Sequence, residues 1–436
     1  MDKDLKRIIV LALILRLIIA PFTGHLWDLA TIQDSLYYTV RGDNVYELTY
    51  RLSMKIQNAT DLPIFYEGYA YLPQLIYILL PFYNLYLYIG GDPRPIKITS
   101  GPIGISLVYE ENFYLSTDVF LFSAIIKMPF ILADILIIYI LGRVNRRLAL
   151  VYALSSYSIL ISAIWGMFES IIALALILAI ILVYRGKFTL AGLVYGFSLI
   201  KLYTMLTFPP IVIYLYKRSG FKSIVEFMSG LIISQIPSIA YLILSPREFI
   251  YSIIVFHALR PPSGLTPLRA LNLLEDLYLS SIILSIYTLA SILIYSLILY
   301  YISRSKLGLG IIISIILLYF LTFSKVVHEQ YYLSLYPLLL LIDYRRARVI
   351  EVLFVTYTLL NTGIFLAIPP ILFVIDYRFI EFKSDFIYGD LGIALGYVVG
   401  PLLFFSLAVI TFTILLKTLV DLTRGNVECY LDTSKI

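Results

Sequence analysis

The stretch "YAYLPQLIYILLPFYNLYLYI" (residues 69–89) is apolar enough to cross a bilayer, and the orientation of everything after it depends on whether it does. If it crosses, "RVNRR" (143–147) and every later basic loop fall on the side opposite Lys3, Lys6 and Arg7. If it lies at one face or dips into it, the short basic loops all share one side. Short loops rich in Lys and Arg remain cytoplasmic, so the second reading is adopted. The crossing stays open as its alternative.

Outward from that segment, the chain has 436 residues, 60% of them hydrophobic and 14% charged. A soluble domain carries roughly 25% charged residues, and here apolar runs recur from end to end with no stretch left for a separate soluble domain. The expectation is an all-α, polytopic membrane protein, with residues 1–436 as one membrane domain. Spans are expected near 8–21, 118–141, 148–164, 170–184, 188–202, 204–217, 223–244, 279–302, 307–324, 331–342, 349–369 and 391–416. That is about twelve, several of them shorter than the ~20 residues a crossing needs. The opening "MDKDLKR" and the run behind it look like a signal peptide, but Arg16 interrupts the run and no small-residue cleavage site follows. A retained first helix is therefore expected.

With the N-terminus inside, "RVNRR", "YRGK" (184–187), "YKRSGFK" (216–222), "SRSK" (303–306) and "DYRRAR" (343–348) are all inner loops. Both termini are then cytoplasmic, in the plasma membrane if the source is prokaryotic, and residues 22–117 form one long external segment. The single cysteine, Cys429, excludes disulfides and cysteine-based metal sites. No phosphate-binding glycine loop, nucleophile elbow or dinucleotide fingerprint is present, and nucleic acid is not an expected partner.

This orientation gathers the unusual polar residues on the outer face. Asp28 follows the first span, and "WGMFES" (165–170) places Glu169 at a turn. "LIKLYT" (199–204) carries Lys201, and "FHALRPPSGLTPLRAL" (256–271) carries His257, Arg260 and Arg269. "FSKVVHEQYY" (323–332) packs Lys325, His328, Glu329 and Gln330 between two apolar spans. Each has a plain structural alternative. Asp28 reads equally as a solvated acid or a helix cap, Glu169 as a cap, and Lys201 as a snorkelling side chain. Arg260 and Arg269 suit lipid headgroups, and Asp34, Asp43 and Glu47 suit solvent. The 325–330 cluster resists such a reading, because ionisable groups cost roughly 2.5–3.5 kcal/mol each at full depth unless paired or solvated. His25, His257 and His328 raise the question of a metal, but no HxxxH or HExxH spacing supports one. An acid, several cations and a lipid-facing groove suit transfer from a phosphate-linked donor. The carboxylate takes a proton from an incoming hydroxyl, and cations hold the departing phosphate.

At these residues the chain resembles the polytopic GT-C glycosyltransferases, which use polyprenyl (dolichyl) phosphate sugars. It looks closest to the mannosyltransferases of the glycosylphosphatidylinositol first-mannose type and their archaeal and bacterial relatives. The motifs that carry the likeness are "WDLATIQD", "RGDNVY", "YAYLP", "WGMFES", "YGFSLIKLY", "FHALR" and "SKVVHEQYY", in family order, to about residue 342. Two positions depart from the pattern. Leu26 stands where the first acid of the family's D-x-D would be, and Ser324 where its Asn would be.

The resemblance implies that Asp28 is the general base and that Lys325 and Gln330 line the donor site. It makes His257, Arg260 and Lys201 phosphate-side candidates, with His328, Glu329 and Glu169 in the same substrate-binding set. No cofactor is assigned, since a divalent metal held between two acids would lack one of them. The implied activity moves a hexose, mannose by the resemblance, from a polyprenyl-phosphate donor to a lipid or glycan acceptor on the outer face. The rivals are a transporter or flippase of lipid-linked sugars and a non-catalytic scaffold subunit. Transporters tend to show inverted repeats with midplane sites, and no repeat is visible here.

Overall fold

The computed structural model describes residues 2–60, 68–92, 99–101, 104–106, 118–273, 277–361 and 400–424. Helix α1 (Lys3–Ile19) is capped by the Asp2 carboxylate, which accepts from the Asp4 N–H at 3.4 Å, and it ends in a 3-10 turn, Ala20–Phe22, containing Pro21. Helices α2 (Leu26–Val40), α3 (Val45–Thr60) and α4 (Gln74–Tyr88) follow. The last occupies the stretch that decides the topology. Its 15 residues reach about 22 Å at 1.5 Å per residue, short of the ~30 Å hydrocarbon core. It buries Leu75, Ile76, Leu79, Tyr83 and Tyr86. Its first residue, Gln74, reaches the Ser234 carbonyl (3.0 Å), Gln235 Oε1 (2.9 Å) and Ser238 Oγ (2.9 Å) on a later helix. Held against protein in this way, the stretch need not cross to hide its apolar face.

Helices α5 (Asp118–Ile126) and α6 (Met128–Val144) are separated by Lys127, with Pro129 opening the second. Helix α7 (Arg146–Ala153) is capped by Asn145, whose side chain accepts from the Arg147 N–H at 2.9 Å. A short α8 (Ser156–Ser158) runs into a π-helical turn, Ile159–Trp165, which stops at Gly166 with φ +88°. Next come α9 (Glu169–Tyr184), α10 (Phe188–Ser198), a 3-10 turn at Leu202–Thr207, α11 (Phe208–Ser219) and α12 (Phe221–Leu244). Helices α10 and α12 touch backbone to backbone. A Cβ on Gly192 would stand 1.9 Å from the Phe227 carbonyl oxygen, and one on Gly230 1.8 Å from that of Thr189. Small residues permit such close packing where the hydrophobic effect does not drive association.

The remaining helices are α13 (Pro246–Ile250), α14 (Phe256–Leu259), α15 (Leu277–Arg304), α16 (Leu309–Phe323), α17 (Tyr336–Ile342), α18 (Tyr344–Thr358) and α19 (Gly400–Thr423). Strand content is slight: a hairpin of Thr99–Gly101 with Gly104–Ser106, and a parallel two-residue pairing of Ser263–Gly264 with Val326–Val327.

The chain is an all-α membrane protein. Among the described residues four helices are long and apolar enough to cross: Phe120–Val144, Phe221–Leu244, Leu279–Arg304 and Leu402–Thr423. A fifth is obtained if Arg146–Ala153 and Ser156–Trp165, bent by 46°, count as one span. Glu169–Tyr184, Phe188–Ser198 and Leu309–Phe323 are apolar but shorter. The expected span 188–202 divides into α10 and an irregular stretch at Lys201, and that at 331–342 into a 3-10 turn and a seven-residue α17. The expected spans 349–369 and 391–416 run partly into 362–399, outside the described residues, and in the segment 22–117 residues 61–67, 93–98, 102–103 and 107–117 lie outside them too.

The charge that interrupts the first apolar run turns inward. Arg16 Nε lies 2.8 Å from Asp134 Oδ2, both side chains fully buried. Arg16 also donates to Ser158 Oγ (2.8 Å) and the Ala153 carbonyl (3.0 Å), while Asp134 accepts from Tyr152 (2.8 Å) and Ser162 (2.5 Å). The pair ties α1 to α6, α7 and the π turn.

Candidate functional site

A cavity of about 650 Å³ opens among the start of α2, the residues before α4, the π turn, the Lys201 loop, α14 and the 324–331 loop. Eight of the nine residues singled out from the sequence line it: Asp28, Lys201, His257, Arg260, Lys325, His328, Glu329 and Gln330. Glu169, the ninth, stands behind Lys201. Arg269 is elsewhere, donating to Tyr357 Oη at 3.3 Å and lying over the Phe404 ring. Asp34, Asp43 and Glu47 are not among the lining residues.

The acid sits in the first turn of α2, whose N-cap is His25. Trp165 Nε1 donates to Asp28 Oδ2 at 2.7 Å, and His25 Nδ1 lies 2.7 Å from the same oxygen. The His25 and Trp165 rings stack, centroids 4.6 Å apart, and the His25 N–H donates to the Trp165 carbonyl at 3.0 Å. Burial alone would raise the Asp28 carboxyl. The charge and hydrogen bond of His25, the Trp165 N–H and the charge of Lys201 outweigh it and hold the group below the usual carboxylate range. Asp28 is thus a fixed carboxylate at neutral pH.

Two loops face it. Ser263–Gly264 and Val326–Val327 pair in parallel, with the Ser263 N–H donating to the Lys325 carbonyl (3.0 Å) and the Leu265 N–H to that of Val327 (2.8 Å). Gly264 has φ +83°, and a Cβ there would lie 1.9 Å from the Val327 carbonyl oxygen, so the approach requires glycine. This pairing fixes "FHALR" and "SKVVHEQ" relative to each other. Lys325 Nζ donates to the Ala258 carbonyl at 2.5 Å. Partial burial lowers the Lys325 ammonium from its ordinary value. Arg260 lies over the Phe256 ring at 5.7 Å. Neither cation forms an ion pair with a carboxylate among the described residues.

His257 is driven the other way. Burial, opposed by its 3.1 Å hydrogen bond to the Ala70 carbonyl and helped by the charges of Arg260, Lys201 and His328, lowers it to about 4. It is neutral at neutral pH. His328 is also lowered, by burial and then Arg260, with Glu329 opposing at 3.6 Å. Glu329 accepts a hydrogen bond from Asn361 and has its own carbonyl taken by Tyr157 Oη at 2.5 Å. Burial would raise its carboxyl, but His328 and Asn361 hold it low. Glu329 thus contacts both His328 and Asn361 while lining the cavity. Gln330 Oε1 is buried with no hydrogen-bond partner among the described residues.

Lys201 differs from the expectation of a phosphate cation. It forms a close buried ion pair with Glu169, with Nζ 4.9 Å from the ring centres of Phe168 and Tyr331 and 5.5 Å from that of Tyr71. Its charge is already balanced. Ser324 turns the chain through its Oγ, which accepts the Val326 N–H at 3.2 Å and donates to the Val326 carbonyl at 2.8 Å.

Sequence reasoning missed Trp165, although "WGMFES" was singled out for its glutamate. Tyr71, Tyr203 and Asn361 also line the cavity unforeseen. Among the described residues no group of three or more His, Cys, Asp or Glu is placed to hold a metal ion. No family model matches the chain, and neither curated proteins nor solved structures provide a match.

Proposed function

We propose that this protein is a GT-C-type glycosyltransferase that moves a hexose, mannose by its resemblance, from a polyprenyl-phosphate donor to a lipid or glycan hydroxyl. The observation that supports this most is the meeting of Asp28 with two cations, Arg260 and Lys325, that have no carboxylate partner among the described residues, in one chamber. In the reaction, the acceptor oxygen forms a bond to the anomeric carbon as that carbon's bond to the phosphate oxygen breaks. The hydroxyl proton passes to Asp28, and the bonding pair leaves with the phosphate. Negative charge on the phosphate grows as it departs, so fixed donors at that position lower the barrier. Phe256, Ile253, Phe320 and Leu202 supply apolar wall suited to the first part of a lipid tail.

The proposal carries the full topology: about twelve crossings with several short or broken, cytoplasmic termini, and the cavity on the outer face. Purified protein given radiolabelled polyprenyl-phosphate mannose and membrane extract as acceptor source should release free polyprenyl phosphate and label an acceptor. Movement of intact donor across the bilayer without release would instead favour the transporter reading.

A further inference from the structure

Lys127 stands at the break between α5 and α6, inside the candidate span Phe120–Val144, and its side chain is completely buried. Among the described residues no carboxylate pairs with it. Its Nζ instead lies among four backbone carbonyl oxygens: Ala20 (2.9 Å), Thr23 (2.5 Å), Ala163 (3.0 Å) and Ile164 (3.1 Å). Ser123, one turn earlier, donates to the same Ala20 and Thr23 carbonyls at 2.9 and 2.8 Å. An ionisable residue within a membrane span is costly and by default marks function. Oxygens converging on one nitrogen form a cage of the kind a monovalent cation occupies.

What the cage joins gives the lysine its role. Thr23 lies two residues before His25, and Ile164 one residue before Trp165. Those two side chains hold Asp28 Oδ2, and they also hold each other by stacking and a main-chain bond. Gly166 leaves the room: a Cβ there would stand 2.8 Å from Lys127 Cε. We propose that Lys127 is a positioning residue, an internal amine that pins the 20–23 and 163–164 backbones together and so fixes His25 and Trp165 around Asp28. The catalytic consequence rests on the reading of Asp28 as the base. The geometric one does not.

The groups that act on Asp28 electrostatically are His25, Lys201, Glu169 and Tyr71, and none of them hydrogen-bonds Lys127. A change at Asp28 in a Lys127 variant therefore reports position.

The test separates the two claims. Trp27→Phe leaves Trp165 as the sole tryptophan, and contact with the stacked His25 ring quenches its emission. In that background the quench should vanish with His25→Gln and should fall about twofold or more with Lys127→Ala. Methylammonium or ammonium chloride, filling the emptied cage, should restore it where sodium chloride at equal strength does not. In the transfer assay Lys127→Ala should lower kcat roughly 10- to 100-fold, as for a misplaced catalytic group, with the donor KM unchanged and the same rescue. If Lys127→Ala does not fold, Ser123→Ala, which removes one donor to the same carbonyls, should give a smaller loss of quench. A foldable Lys127 variant with lowered Tm but full quench would overturn the proposal. Lost quench in a protein whose Asp28→Asn variant still transfers sugar would leave the pin standing and remove the assignment of the base.

Discussion

Asp28→Asn is the perturbation that tests the site most directly. Asparagine keeps the oxygen that accepts from Trp165 Nε1 at 2.7 Å and the shape that fills the space beside His25. It loses the negative charge and the basic lone pair. Removing a general base costs typically 10²- to 10⁴-fold, which corresponds to about 2.7–5.5 kcal/mol of barrier. Donor affinity should persist within about twofold, because the cations assigned to the phosphate lie on the 260 and 325 loops and are not hydrogen-bonded to Asp28. The assay is single-turnover release of polyprenyl phosphate, with donor binding measured separately on the same preparation. Asp34→Asn and Asp43→Asn, at positions that do not line the cavity, serve as controls. The carboxyl is held below its ordinary value of 3.8. It should thus be ionised throughout the neutral range, and the acid limb of the wild-type rate should fall below that ordinary value. As a depressed acid, Asp28 should also lend stability that is present above its unfolded value and lost as pH falls through its folded one. Near-normal transfer by Asp28→Asn, with the fold intact, would refute the assignment.

Lys325→Met should weaken donor binding and slow release together, and Lys325→Arg should recover part of both because charge survives while geometry changes; equal affinity and rate in the Met variant would return the lysine to a loop tether on the Ala258 carbonyl. Arg16→Met should destabilise by about 3–5 kcal/mol, since it strands a fully buried Asp134, and Arg16→Met with Asp134→Leu should recover much of that; thermal unfolding in detergent reads both. His257 is lowered to about 4, so the unfolded chain takes up a proton that the fold refuses between roughly pH 6.5 and 4. Stability should therefore fall as pH drops through that window, and His257→Gln should flatten the slope of Tm against pH there. Cysteines at the exposed Asn58 and Leu259 should label with an impermeant reagent in right-side-out vesicles, and one at the exposed Lys187 should not; the reverse pattern would invert the orientation and strand the site on the inner side. The first two positions replace no buried group, unlike Ser263 on the same loop, whose Oγ is buried.

The class of the fold and the gathering of these residues around one cavity were legible in the sequence for one reason: both rest on cost. Charge is expensive in lipid, so Asp28, Lys201, His257, Arg260 and the 325–330 cluster had to share a polar space, and they do line one cavity. Span count was far less legible. Hydropathy averages over a window, whereas the helix breaks come from single residues such as Lys127, Gly166 and Lys201 that barely change the average. Roles inside the site were hidden for a related reason. The sequence presents Lys201 and Lys325 as equal cations. Only packing distinguishes the one neutralised by Glu169 and enclosed by three rings from the one bonded to a main-chain carbonyl at the cavity wall.

Trp165 and Lys127 were invisible for a deeper reason. Each acts through a partner remote in sequence: Trp165 lies 137 residues from Asp28, and Lys127 is 107 residues from Ala20. A tryptophan at the end of an apolar segment looks like an interfacial anchor, and a lysine between two apolar helices looks like a loop boundary. Both readings change once the π turn is known to end at a left-handed glycine. That turn places the Trp165 ring over His25 and two of its carbonyls, those of Ala163 and Ile164, over the lysine. The acid that sequence reasoning singled out is therefore held by groups that no local pattern could have assigned to it. For that reason a substitution at Lys127, which does not line the cavity, is expected to act on the cavity's chemistry.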